Sequence, residues 1–119
     1  ETAVVAPTAF KVNVSDTDAN GLTVEVYDAP TEAKAGETVT VTVAISGTLP
    51  AANYATLTLD KGSWVTGETP DGFTWAATVL TSGKGINYGS GTVYAKFTYT
   101  MTGTPSTDTI TLTVKGDNT

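Results

Sequence analysis

Residues 37–46 read ETVTVTVAIS, and this alternation constrains the chain more than any other feature. Val39, Val41, Val43 and Ile45 fall on one side of an extended backbone. Thr38, Thr40 and Thr42 fall on the other, with Ala44 the one apolar residue among them. A period of two, carried by β-branched residues, specifies a strand and excludes a helix. One face needs a core and the other tolerates water. Gly36 and Gly47 punctuate its two ends.

The same rhythm recurs. Phe10, Val12 and Val14 alternate with Lys11 and Asn13; Leu22, Val24 and Val26 alternate with Thr23, Glu25 and Tyr27. Asn20-Gly21 lies between them, a pair that accepts positive φ, and predicts a hairpin joining these two strands. Ala55, Leu57 and Leu59 form the next inward set. A short strand around Trp64 follows, then a strand over 73–81 with Phe73, Trp75, Ala77 and Val79 on one face. Val93 to Met101 and Ile110 to Val114 complete the pattern, with threonines opposite. Turn residues recur throughout and no window has helical periodicity. The expectation is an all-β, antiparallel sandwich of immunoglobulin-like or jelly-roll type, with about seven to nine strands. Residues 1–8 form an extended tail and 9–119 a single domain.

Composition narrows the function. The chain has no cysteine and no histidine, so thiolate chemistry, imidazole bases and the commonest metal ligands are absent. All six basic residues are lysine and the net charge is -6, which argues against a nucleic-acid partner. No stretch approaches the ~20 apolar residues of a membrane span. Threonine, about a fifth of the chain, suits strands and offers hydroxyls to water or O-linked sugar. A chain opening at Glu1 without Met is what a mature secreted protein, its signal peptide removed, would look like. The expectation is an extracellular or cell-surface protein.

Several constellations invite chemistry. Asp16, Asp18, Asn20 and Gly21 spell the first half of a calcium loop, three oxygen ligands at alternate positions before a glycine. Tyr27 stands where a bidentate carboxylate would close that loop, so a polar turn is the competing reading. Asn13-Val14-Ser15 is a glycosylation sequon on an outward position. Trp64, Tyr88 and Tyr94 are candidates for a sugar-stacking platform, with core packing as the alternative; Trp75 is expected inside. The loop GKGINYGSG lacks the Gly-Lys-Ser/Thr ending of a phosphate-binding loop and reads as a mobile surface loop. A lysine–asparagine isopeptide would draw on Lys11 or Lys34 with Asn118 or Asn87. Asp60, Glu68 and Asp71 have nothing that brings them across a cleft as glycosidase chemistry requires. No enzyme activity is expected.

The run AKAGETVTVTVAISG (Ala33 to Gly47) with YATLTLD (Tyr54 to Asp60) resembles bacterial or archaeal cohesin-like and immunoglobulin-like surface modules. VYAKFTYTMTGT (Val93 to Thr104) and TITLTV (Thr109 to Val114) are similar in rhythm to the same group. The resemblance implies secretion, a β-sandwich and a non-catalytic role. Two functions remain open. One is a structural subunit of a filament, surface layer or adhesion module, self-associating through sheet edges. In it, Ala3, Val4, Val5 and Ala6 pair with a neighbouring molecule as a donated strand. The other is a carbohydrate-binding or docking module of a larger secreted enzyme, its partner a polysaccharide or a docking protein.

Overall fold

A computed structural model describes residues 4–17 and 21–118. In chain order the strands are β1 (Thr8–Ala9), β2 (Lys11–Thr17), β3 (Leu22–Asp28), β4 (Glu32–Ala33), β5 (Thr38–Gly47) and β6 (Asn53–Leu59). Then come β7 (Ser63–Trp64), a 3-10 turn (Thr66–Glu68), β8 (Phe73–Ala76), β9 (Val79–Ser82), β10 (Val93–Thr100) and β11 (Thr109–Asn118). The chain is all-β, as its periodicity requires. Three of the strands are two residues long; the eight longer ones match the expected number. Among the described residues, no helix is long and apolar enough to cross a membrane.

Two sheets stack as a sandwich. One has the order β3-β5-β10-β7, the other β2-β11-β6-β9-β8, and β1-β4 form a small ribbon. Val41, Val43 and Ile45 of β5 are completely buried and Val39 nearly so. Phe97 and Ala95 of β10 lie beside them, and Leu57, Ile110, Leu112 and Val114 supply the facing sheet's share of the same core. Each of the larger side chains contributes roughly 1.5–3 kcal/mol by leaving water, which is why the alternation decides the fold.

Three expectations are corrected. First, β2 and β3 are not a hairpin. β2 pairs in parallel with β11 (Lys11 opposite Thr109 to Thr17 opposite Lys115), while β3 pairs with β5 in the other sheet. Alternation tells which way a side chain faces, not which strand lies alongside, and β11 satisfies β2 along its whole length. Second, the sandwich is therefore not wholly antiparallel. Third, residues 73–81 do not form one strand: β8 and β9 make a hairpin turning at Ala77 and Thr78. Tertiary bonds hold that turn. The Trp64 N–H donates to the Ala77 carbonyl (2.8 Å) and the Leu59 N–H to the Thr78 carbonyl (2.8 Å).

The Trp64–Ala77 bond also joins the two sheets along one side. Trp64 packs edge-on against Phe97 (5.4 Å between centroids) and donates its indole N–H to the Leu57 carbonyl (3.2 Å). Trp75, expected inside beside Val79, instead sits opposite Leu80 on the outermost strand and is 40% exposed, while Val79 takes the other face opposite Ala76. Trp75 donates its indole N–H to the Trp64 carbonyl at 2.8 Å. The other side, between β2 and β3, lacks such a closure among the described residues. There Val12 and Val14 are half-buried and Val26 is exposed.

Candidate functional site

The N-terminal segment and the open side of the sandwich are the features least explained by folding alone. Phe10 is the anchor. It is buried, stacks on Tyr99 at 6.0 Å, and donates its N–H to the Thr31 carbonyl at 3.0 Å. Thr8 and Ala9 pair with Ala33 and Glu32. Upstream of them the support stops. Val4 is 90% exposed, Val5 is 52% exposed, and Ala6 and Pro7 are exposed as well. Among the described residues, none of 4–7 is in a strand or bonds to the rest of the chain through its backbone. Ala3, the first of the four residues expected to pair with a neighbour, lies outside the described residues.

Among the described residues, large apolar side chains exposed elsewhere are few. They are Val26 and Tyr27 at the end of β3, Tyr94 on β10, and Trp75. Tyr27 and Tyr94 meet on the outer face of the four-stranded sheet, centroids 4.9 Å apart and planes at 61°. Between β3 and β10 runs β5, where Ala44 stands beside Tyr94 and Glu25. The small Ala44 side chain leaves room for the rings to converge above it. Tyr27 was not among the platform candidates, although its outward register beside Glu25 was the signal that could have found it.

The other candidates distribute as follows. Trp64 is buried and presents no ring face to a sugar; its indole closes the core instead. Tyr88 is half-buried, its hydroxyl without a partner among the described residues, and burial pushes its pKa above the ordinary value. Its loop is docked rather than loose: Tyr88 N–H donates to the Gly47 carbonyl (3.1 Å), and Leu49 N–H to the Ile86 carbonyl (2.8 Å). Asn13 is exposed on β2 beside Thr111, accessible to modification. Asp16 is exposed at the end of β2, while Asp18 and Asn20 lie outside the described residues. Among the described residues, no group of three acidic side chains converges in a way that could hold a metal. The isopeptide pairings are separated by the topology. Lys11 and Lys34 belong to the end of the sandwich where β5 and β11 begin, and Asn87 and Asn118 to the end where those strands finish.

One buried ionisable group was missed by sequence reasoning. Asp108 is fully buried in the turn between β10 and β11. Its carboxylate accepts from Tyr99 Oη (2.7 Å), Thr102 N (2.9 Å), Thr102 Oγ1 (2.7 Å) and Gly103 N (2.8 Å). Burial alone would raise its pKa; these four donors outweigh it and bring the pKa from 3.8 down to about 2. Lys61 Nζ donates to the flanking Thr107 (2.9 Å) and Thr109 (3.0 Å) carbonyls, so the cluster and this lysine together lock the turn.

Comparison of the chain with protein-family models, with curated proteins and with solved structures returns no match.

Proposed function

We propose that this chain is a non-enzymatic structural subunit of an extracellular assembly. In this reading the N-terminal segment of one copy pairs with an open sheet edge of the next. The carrying observation is the exposure of Val4 and Val5 just upstream of a firmly anchored Phe10. Two valines kept in water are an unmet hydrophobic demand, roughly 1.5–3 kcal/mol each on burial. Backbone pairing with a sheet edge would add about 0.5–1.5 kcal/mol per bond. The buried core draws nothing from residues 4–7, so a subunit can fold first and assemble afterwards. Deleting residues 1–7 tests this. The truncated chain should remain a folded monomer by size-exclusion chromatography and form no polymers by negative-stain microscopy. Polymers from the truncated chain would overturn the reading.

The Tyr27–Tyr94 pair favours a second reading, a carbohydrate-binding or docking module of a secreted multimodular protein. Exposed rings stack on the apolar faces of sugars. Affinity electrophoresis through plant and cell-wall glycans tests it. Retardation that disappears in Tyr27→Ala and Tyr94→Ala would support it; migration unaffected by every glycan would remove it.

A further inference from the structure

We infer that the seat for a neighbour's N-terminal segment is the first half of β5, the edge at Thr38–Val41. The inference rests on the strand-donation reading above and adds where the donated segment goes.

β5 is paired unequally on its two sides. Against β10 it is matched from Thr38 to Ile45. Against β3 it is matched only from Thr42 to Gly47, because β3 bulges between Val26 and Asp28 and ends there. The chain then crosses toward the five-stranded sheet, where Thr31 accepts the N–H of Phe10. A stretch four residues long, Thr38–Val41, is thus unpaired on the β3 side.

The direction of the free backbone groups follows from the ladder. The Met101 N–H donates to the Glu37 carbonyl at 2.8 Å, which turns the backbone of Glu37 toward β10. Antiparallel pairing alternates, so the backbone groups of Val39 and Val41 also address β10, and those of Thr38 and Thr40 address the vacated side. Two N–H donors and two carbonyl acceptors therefore lie along that edge. Thr38 and Thr40 are exposed, while Val39 and Val41 between them are fixed in the core. The outer face of this stretch is exposed and its inner face is fixed in the core.

The occupant that fits is the segment ending at Ala6 of a second copy. Pro7 has no N–H and stops strand pairing, so the pairing segment consists of the few residues before it, matching a short notch. The chain's own segment is held elsewhere: Thr8 and Ala9 are paired with Ala33 and Glu32, and Val4 is left exposed. Several of the other edges are guarded or closed, although β8 (Phe73–Ala76), outermost in the five-stranded sheet, is free and carries no charge. β2 carries Lys11 and Asp16 along its edge, and β3 carries Glu25 and Asp28, the charges with which edge strands resist pairing. Trp64 of β7 already bonds to Ala77. The notch in β5 presents only threonines outward. Val26, 37% exposed, lies at the bulge where the notch begins and stands to be covered.

The absence of cysteine from the chain makes the test clean. Full-length chains carrying one substitution each are mixed: Val4→Cys or Val5→Cys as donor, Thr40→Cys or the β2-edge control Asn13→Cys as acceptor. Under mild oxidation, donor chains should form a disulfide with Thr40→Cys chains and not with Asn13→Cys chains. A Thr40→Pro chain, lacking the N–H that faces the notch, should lose acceptor activity while still donating its own segment. Cross-linking to Asn13→Cys in place of Thr40→Cys would overturn the seat and leave strand donation standing. Donation would also stand if polymers need residues 1–7 yet no disulfide forms at Thr40→Cys, and the seat would again be refuted. Polymers that persist without residues 1–7, or a chain that never associates, would refute donation itself and the seat with it. A Val4→Cys/Thr40→Cys chain that closes on itself as a monomer would likewise overturn the seat.

Discussion

The hydroxyl of Tyr99 donates to the carboxylate of Asp108 at 2.7 Å, tying the inner face of β10 to the turn that leads into β11. The bond matters because Asp108 is fully buried with its negative charge. Four donors hold the charge there, and they depress its pKa from 3.8 to about 2. A carboxylate depressed on folding contributes stability that is fully present above the unfolded pKa. That contribution is lost as pH falls through the folded value. Urea midpoints of the wild-type monomer should therefore decline between about pH 4 and pH 2. Asp108→Asn should lower stability at neutral pH by about 2–3 kcal/mol. Its amide would also place an N–H against the Gly103 N–H. The variant should lose much of the acid dependence over that window. A wild-type decline retained in full by Asp108→Asn would show that other groups drive it.

Gly47 ends β5 with a φ of +98°, and a side chain there would run into the carbonyl oxygen of Gly21. Backbone cannot step aside as a side-chain tip can. Gly36, at the other end of the strand, has a φ of +88° but open space around it. Gly36→Ala should cost about 1–2 kcal/mol, the conformational penalty alone. Gly47→Ala adds a clash between two backbone segments and should be clearly the more destabilising. Thermal melts of the two variants check this. Equal shifts in Tm would mean that the approach of Gly21 to Gly47 relaxes freely.

The two tryptophans should report differently on solvent. Trp64 is 2% exposed and Trp75 is 40% exposed, although one bonds to the other. Trp75→Phe should leave a blue-shifted emission that acrylamide and iodide scarcely quench. Trp64→Phe should leave a quenchable one and also cost about 1–3 kcal/mol, because a buried indole bond to the Leu57 carbonyl and part of the ring's packing are lost. Strong quenching of Trp64 in the Trp75→Phe protein would show that the closed side of the sandwich opens.

What the sequence made legible was the facing of side chains, and what it concealed was neighbourhood. The inward valines of β5, the Ile110-Leu112-Val114 set and the outward threonines could be placed because burial repeats every second residue. The partner of β2 could not, since pairing with β11 spans most of the chain length and leaves no local mark. The turn at Ala77 and Thr78 carries neither glycine nor proline; bonds from Trp64 and Leu59 fix it. Asp108 carried no local signal, because its four donors come from Tyr99, Thr102 and Gly103 only after β10 turns back. Trp75 was placed inside with Val79, but the turn at Ala77 and Thr78 sets it opposite Leu80 instead, and its outermost position in the sheet keeps it at the rim. The notch beside Thr38 and Thr40 follows from a bulge at the end of β3, for which no residue pattern gave notice.

The boundary between anchored and free chain falls between Pro7 and Phe10, and stability should register it sharply. Phe10 is 4% exposed and stacks on Tyr99. Phe10→Ala should therefore cost about 3–5 kcal/mol, the usual toll of emptying a buried aromatic site. Removal of residues 1–7 takes away no buried side chain from the described part of that segment, since Val4 to Pro7 are all exposed. That deletion should leave the monomer within about 0.5 kcal/mol of the full chain. Urea unfolding at protein concentrations too low for association separates the cases. A deletion as costly as Phe10→Ala would mean that the segment packs onto its own sandwich in solution, and a segment so engaged would not be free to enter a neighbour.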